Sequence, residues 1–253
     1  MTTVQRATQD FWERIIAHEP LPAEWAGRLS IDEGYAVQLE IAELHARAGN
    51  ARTGWKVAAT NPAVQQQLGV SEPAFGSLRN ATTHGDGYDL PAGKFVVPHV
   101  ESEICFKAGE GIATVETEED VLAALECCFP SFELIEKRVP VLDMGVAIAD
   151  NVEHTSIVLG APHPVQGLTF ESIACRLTFN GEEVATGTGA NVLGNPLRSV
   201  LWLKQALARY GRRIEPGDLI MTGSLVRQFP LKAGDKVTAE FSTIGKVSIT
   251  VSD

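Results

Sequence analysis

Three observations predict an α+β fold. Residues 1–50 carry helical periodicity and a helix-start signature. Residues 51–138 then mix strand-like and helix-like runs, and the second half is mostly β, with a hairpin signal at Asn180-Gly181. The chain has 253 residues, 44% hydrophobic and 21% charged, enough for one large domain or a small one plus a large one. A net charge of −11 argues against nucleic acid or an anionic membrane as the main partner, but leaves a small anionic substrate open. Cys105, Cys127, Cys128 and Cys175 form no C-x-x-C pair and are expected to be reduced. Residues 1–19 lack a signal-peptide core and no segment approaches a membrane span, so a cytoplasmic location is expected.

Taken in order, Thr2 to His18 places Phe11, Trp12, Ile15 and Ile16 on one face of a helix. Ser30-Ile31-Asp32-Glu33 is a capping box opening a second helix to about Ala48, closed at Gly49-Asn50. This opening forms a helical subdomain or a layer on the body of the chain. Thr53 to Thr60 reads as a strand in which Lys56 lies among apolar neighbours. Either its amine snorkels to water along its stem, or it faces an anionic centre as acid/base or electrostatic clamp. Asn61-Pro62 caps a short helix to Gln67, ended at Gly69. Ser71 to Gly76 and Gly85 to Gly93 read as loops.

Val100-Glu101-Ser102-Glu103-Ile104-Cys105-Phe106 reads as a core strand. Side-chain alternation puts Glu101, Glu103 and Cys105 on one face and Val100, Ser102, Ile104 and Phe106 on the other. Two carboxylates facing an enclosed space must protonate, pair with cations or hold a hard divalent ion. The alternative is an edge strand whose glutamate face is solvated. Thr117 to Asp120 starts a helix with Val121, Leu122, Leu125 and Cys128 as its buried face, ended by Pro130. Ser131 to Arg138 is a strand, on which Glu133 offers a third carboxylate. Ala149 to Thr155 is a polar stretch, either a surface helix or a site wall, and a histidine such as His154 is more often structural or solvated than catalytic. Asn180-Gly181 suits a type I′ turn between strands 173–179 and 183–186. Asn195-Pro196 caps a helix through Tyr210, closed by Gly211. Turns at Pro216-Gly217-Asp218 and Ala233-Gly234-Asp235 precede strands. Between them, Thr222-Gly223-Ser224-Leu225 offers backbone N–H groups and a hydroxyl suited to gripping a carboxylate, or is an ordinary turn.

Several segments in this order resemble the 2-keto-4-pentenoate hydratase and 4-oxalocrotonate decarboxylase family, within the fumarylacetoacetate hydrolase superfamily. They are Gly54-Trp55-Lys56-Val57, Val64 to Val70 with Phe75-Gly76, Val100 to Ile104, Phe132 to Ile135 with Arg138, and Asp150-Asn151 with Val158-Leu159-Gly160. Asn180-Gly181 to Gly189, Leu193 to Pro196, and Gly217-Asp218 to Ser224 complete the set. The resemblance spans nearly the whole chain from about Ser30. It implies a mixed β-roll or barrel core with flanking helices over 51–253, behind a helical subdomain at 1–50. It also implies a Mg²⁺ or Mn²⁺ ion on Glu101, Glu103 and Glu133, an active-site lysine at Lys56, and a substrate grip at Gly223 and Ser224, with Leu225 following. Members are usually homo-oligomers, and paired hydratase–decarboxylase complexes occur. Where relatives usually carry an aspartate before the Phe-Gly or Tyr-Gly pair, this chain has Ala74. The missing proton carrier would be Glu72, two positions earlier, or His154, in a segment that is commonly serine-rich in relatives.

The activity implied is metal-dependent addition of water to a 2-hydroxydienoate, giving a 4-hydroxy-2-oxo acid, in aromatic-compound catabolism. Decarboxylation of a 4-oxalocrotonate-like 2-oxo diacid is the alternative and has less need of an extra acid. A reading of another class is a non-catalytic subunit that binds an oxo acid or supports a catalytic partner.

Overall fold

The structure, a computed structural model, describes residues 1–139 and 143–253. In chain order the elements are helices α1 (Thr3–Ala17) and α2 (Ile31–Arg47), strand β1 (Arg52–Ala58), helix α3 (Pro62–Leu68), and strands β2 (Ala74–Arg79), β3 (Thr83–Gly85), β4 (Tyr88–Pro91) and β5 (Pro98–Ala108). Helix α4 (Glu118–Ala123), strand β6 (Leu125–Glu136), helix α5 (Met144–Ala149) and strands β7 (His154–Leu159), β8 (Ala174–Phe179) and β9 (Glu182–Thr188) follow. Helix α6 (Pro196–Arg209) and strands β10 (Leu219–Ser224), β11 (Phe229–Pro230), β12 (Lys236–Phe241) and β13 (Gly245–Ser252) complete the chain.

The larger sheet runs β2-β1-β10-β5-β6-β7-β3, with β11 also on β5, and the smaller runs β4-β13-β12-β8-β9. Both are mixed: β1 is parallel to β10 and β13 to β4, while β5 and β6 form a long antiparallel pair. Among the described residues neither sheet closes on itself, so the barrel form of the expectation gives way to two packed sheets. Val100, Ile104, Phe106 and Phe132 of the larger sheet share one buried cluster with Leu177, Val237, Val247 and Ile249 of the smaller. Leu197, Val200, Leu203 and Leu207 of α6 join it from one side.

Both N-terminal helices start as their sequences predict. Thr2 with Gln5 and Ser30 with Glu33 form reciprocal capping boxes. Their apolar stripes do not make a private core. Ala7, Phe11, Val37 and Ile41 cluster with Val146 and Ala149 of α5, which comes from the body of the chain. Two glycines permit this approach. A Cβ on Gly34 would lie 2.4 Å from the Gly145 carbonyl oxygen, and one on Gly145 would lie 2.0 Å from that of Leu29.

Three expectations are corrected. The helix from Thr117 stops at Ala123, and Leu125 to Pro130 belongs to β6, where Cys128 pairs with Phe106 and Pro130 with Ile104. The apolar spacing fits a helix, but the long pairing with β5 outweighs it. Proline is tolerated inside this strand because its carbonyl accepts from Gly160 (2.8 Å) at the end of β7, where its missing N–H is no loss to β5. Ala74 to Gly76 is strand, paired with Val57 and Lys56, rather than loop. The stretch Gly85 to Gly93 contains β4 and follows β3; both are short and pair parallel to distant strands, which local pattern cannot reveal. Among the described residues no helix is long and apolar enough to cross a membrane.

Candidate metal centre and catalytic cleft

The β5–β6 register creates the site. Glu101 on β5 lies directly opposite Glu133 on β6, and Glu103 follows two residues along the same face, opposite Ser131. Facing like charges weaken a strand pair unless something neutralises them. One carboxylate oxygen from each of Glu101, Glu103 and Glu133 lies within 4.8 Å of the others. Glu103 and Glu133 are fully buried, while Glu101 keeps part of its surface open to a cleft.

The electrostatics suit a cation at this position. Burial, then repulsion from Glu133, pushes Glu101 up to about 7, and burial with Glu133 and Glu101 drives Glu103 well above the usual carboxylate range. Burial works against ionisation of Glu133 too, but Lys56 and His154 outweigh it and hold its carboxyl below the ordinary value. Glu103 Oε1 and Glu133 Oε2 are buried without any hydrogen-bond partner among the described residues. Converging oxygen donors with two such orphaned atoms fit a hard divalent ion.

Lys56 does not snorkel. It is 1% exposed on β1, donates from Nζ to the Val152 carbonyl (2.7 Å) and pairs with Glu133 Oε1 (3.1 Å). His154, at the start of β7, donates from Nδ1 to the same Glu133 oxygen (2.8 Å) and is buried behind it. Burial lowers its pKa. Beneath it lies an ion cluster in which Arg138 binds Asp150 (3.0 Å) and Glu136 (2.5 Å). The chain between Asp150 and His154 takes an unusual path, with Asn151, Val152 and Glu153 all at positive φ (57°, 52° and 62°). Asn151 fastens this run to β2: its side chain accepts from Ser77 N (2.7 Å) and donates to Ser77 O (2.9 Å).

The cleft onto which Glu101 and Lys56 open has a volume of about 660 Å³. Val57, Ile135, Met144 and Leu225 give it apolar walls, and Lys56, Glu101, Lys137, Glu153 and Arg227 line it with charge. Gly223, Ser224 and Leu225 line it, but the polar groups of the first two are engaged. Gly223 N–H donates to Glu103 Oε2 (2.8 Å), and the Ser224 hydroxyl donates to the Val226 carbonyl (2.6 Å). Glu72 is not in the cleft. It lies exposed before β2, where Arg209 binds both its oxygens (2.9 Å each) and Trp202 Nε1 adds a third contact. Ala74 is buried at 2% exposure, paired with Ala58. The sequence did not single out Lys137, Arg227 or Glu153 as lining groups; only the polarity of the 150–155 stretch hinted at the last.

The fold and site define a class: a protein of two mixed sheets under helices, with a three-carboxylate centre at the head of a ligand-sized cleft. The profile described as Fumarylacetoacetate (FAA) hydrolase C-terminal matches residues 45–252, and this chain belongs to that family. It is 32% identical to the 2-keto-4-pentenoate hydratase of Paraburkholderia xenovorans (strain LB400), over 98% of this chain and 95% of that protein. It is 31% identical to the 2-oxo-hept-4-ene-1,7-dioate hydratase of Escherichia coli, over 87% and 86% respectively. The solved structure of 4-oxalocrotonate decarboxylase from Pseudomonas putida G7, complexed with magnesium and adipate, superposes with a TM-score of 0.93. That match has 27% identity and covers 99% of this chain and 98% of that one.

Proposed function

We propose that this chain is a divalent-metal-dependent hydro-lyase that adds water to a 2-hydroxydienoate of the 2-keto-4-pentenoate type, giving a 4-hydroxy-2-oxo acid in aromatic-compound catabolism. One observation carries the reading: the carboxylates of Glu101, Glu103 and Glu133 converge within 4.8 Å beside the buried Lys56, at the head of a 660 Å³ cleft. A Mg²⁺ or Mn²⁺ ion bound there supplies Lewis acidity toward the oxygens of an oxo acid. Lys56 presents its amine at the head of the cleft, beside the reacting end of the substrate, and holds Glu133 in place. His154 fixes Glu133 from behind. Gly223 orients Glu103, while Ser224 and Leu225 shape the wall beside it. Val57, Ile135 and Met144 shelter the carbon chain from bulk water. Glu72, saturated by Arg209, has no part in this assignment.

Residues 1–50 serve as a helical cover on a catalytic body spanning 51–253. The enzyme acts in the cytoplasm as a homo-oligomer, with a hydratase–decarboxylase complex as a second mode of assembly. The likeness to the magnesium-bound decarboxylase structure favours a second reading, carboxy-lyase action on an oxalocrotonate-type diacid. Intact Glu101, Glu103, Glu133 and Lys56 weigh against a non-catalytic subunit.

The test is direct. Purified protein with Mg²⁺ is given 2-hydroxypenta-2,4-dienoate, longer 2-hydroxydienoates and 4-oxalocrotonate, and the products are identified by mass. A gain of one water supports the hydratase, loss of carbon dioxide transfers the assignment to the decarboxylase, and inertness toward every substrate sinks both.

A further inference from the structure

Hydration of a dienoate needs a group that moves protons along the carbon chain, and the two candidates legible in the sequence are badly placed for it. Glu72 is tied to Arg209 outside the cleft, and His154 lies behind Glu133 rather than against the cavity. Ala74 supplies only a methyl group. Among the described residues, the titratable or charged side chains lining the cleft are Lys56, Glu101, Lys137, Glu153 and Arg227. Glu101 belongs to the metal set. Arg227 lays its guanidinium 3.9 Å from the centre of the Phe229 ring, Lys137 is solvent-exposed, and Lys56 is held by Glu133 and Val152.

That leaves one carboxylate. We infer that Glu153 is the acid/base group of this cleft, standing in for the carboxylate that position 74 lacks; this rests on the hydratase reading given above. Its side chain lines the cavity and has no hydrogen bond or ion pair among the described residues. Its backbone is held at φ 62° at the end of a left-handed run that Asn151 pins to Ser77 and Val152 pins to Lys56. Left-handed backbone is uncommon for any non-glycine residue and a genuine outlier for valine, and such strain gathers where side-chain aim matters. A Cβ on Gly76 would come within 2.9 Å of the Asn151 carbonyl oxygen, so bare backbone at position 76 is what lets the run sit there. Burial raises the Glu153 pKa, against the pull of Lys137, Lys56 and Arg138 and with help from Glu133, which moves a glutamate toward the range useful near neutrality.

The proton balance closes. The 2-hydroxyl proton is released to solvent as protonated Glu153 delivers its own to C5, leaving the 2-oxo-3-ene. The resulting carboxylate then takes a proton from water as the hydroxyl adds to C4, and C3 gains a proton from solvent. Glu153 returns to its protonated state, and the sum is one water added.

The experiment compares the unsubstituted protein with Glu153→Gln and Glu153→Ala, using Mg²⁺ and 2-hydroxypenta-2,4-dienoate in D₂O. Proton NMR reads deuterium arriving at C5 and formation of the hydrated product. Mn²⁺ binding by calorimetry and thermal melting are measured on the same samples. Both variants should lose about a hundredfold or more in kcat and in C5 labelling, with KM, Mn²⁺ affinity and melting temperature close to those of the unsubstituted protein. Formate or acetate should restore turnover to Glu153→Ala, where the deleted carboxyl leaves room, and not to Glu153→Gln. Retention of turnover by Glu153→Ala within about fivefold overturns the assignment, as does a loss that follows weakened Mn²⁺ binding or that neither anion rescues. If the unsubstituted protein hydrates nothing, the hydratase reading itself falls and takes this assignment with it, an outcome distinct from a variant that stays active beside a working parent.

Discussion

At the scale of single residues, the Glu-x-Glu pair was legible because strand alternation alone puts Glu101 and Glu103 on one face. Whether that face is enclosed depends on β6, so the sequence left open whether the pair is solvated. Glu133 was only a weak ligand candidate on its own strand until the family resemblance singled it out, and its position opposite Glu101 follows from a register no local pattern encodes. Glu153 was not legible, since Asn-Val-Glu carries no glycine to announce three positive φ values. The cluster makes a prediction about stability as well as activity. Glu103 is buried and repelled by Glu133 and Glu101, so its carboxyl ionises at a cost and without metal contributes nothing favourable when charged. Glu103→Gln should therefore melt no lower than the unsubstituted protein in chelator. Saturating the unsubstituted protein with Mn²⁺ at a hundred times its Kd should add about 2.7 kcal/mol of stability. The variant should gain almost none and should lose its metal-dependent turnover. Thermal melts with and without Mn²⁺ decide it, and an equal metal-induced rise in both proteins would remove Glu103 from the ligand set.

At the scale of elements, helix starts were the most legible feature because capping is local. Thr2, Ser30, Asn61, Thr117 and Asn195 all accept from backbone N–H groups within their own first turns. Strands were less legible wherever they are short or read equally well as helix, as with β3, β4 and the first half of β6. Nothing in the sequence indicated that α2 and α5 meet through glycine. A methyl group on Gly145 would lie 2.0 Å from the Leu29 carbonyl oxygen, a backbone atom that cannot swing aside, so the helices must separate. Gly145→Ala should cost about 1–3 kcal/mol in urea unfolding. Because α5 leads into the Asp150–Glu153 run, the same substitution should also lower turnover. A change in stability below about 0.5 kcal/mol would mean that the close approach has slack.

At the scale of the whole molecule, the site draws on distant parts of the chain. Lys56 of β1 lies beside Met221 of β10 in a parallel pair, and β10 pairs in turn with β5. Hydrophobic periodicity cannot foretell such long-range neighbours; the ordered set of family-like segments could, which is why the fold was readable while its side-chain contacts were not. The helical cover adds a pH dependence of its own. His45 on α2 packs edge-on to Trp12 of α1, and its Nε2 is buried without a partner. Burial, with Arg79 and Arg138 nearby, pushes its pKa down to about 3. In the unfolded chain His45 takes up a proton near pH 6.5, whereas in the folded protein it does so only near 3. The unfolded state therefore binds more protons across that window. The contribution is whole above about pH 6.5 and is lost progressively as the pH falls toward 3. Each unit is worth at most about 1.4 kcal/mol, and partial exposure reduces this, so a loss on the order of 1–2 kcal/mol between pH 6.5 and 4.5 is expected from this residue. Urea unfolding of the unsubstituted protein and of His45→Gln at both pH values isolates it, because every other titrating group is shared. The unsubstituted protein should weaken more on acidification than the variant does, by that amount. Parallel declines would show that His45 is protonated in the folded state as easily as in the unfolded one.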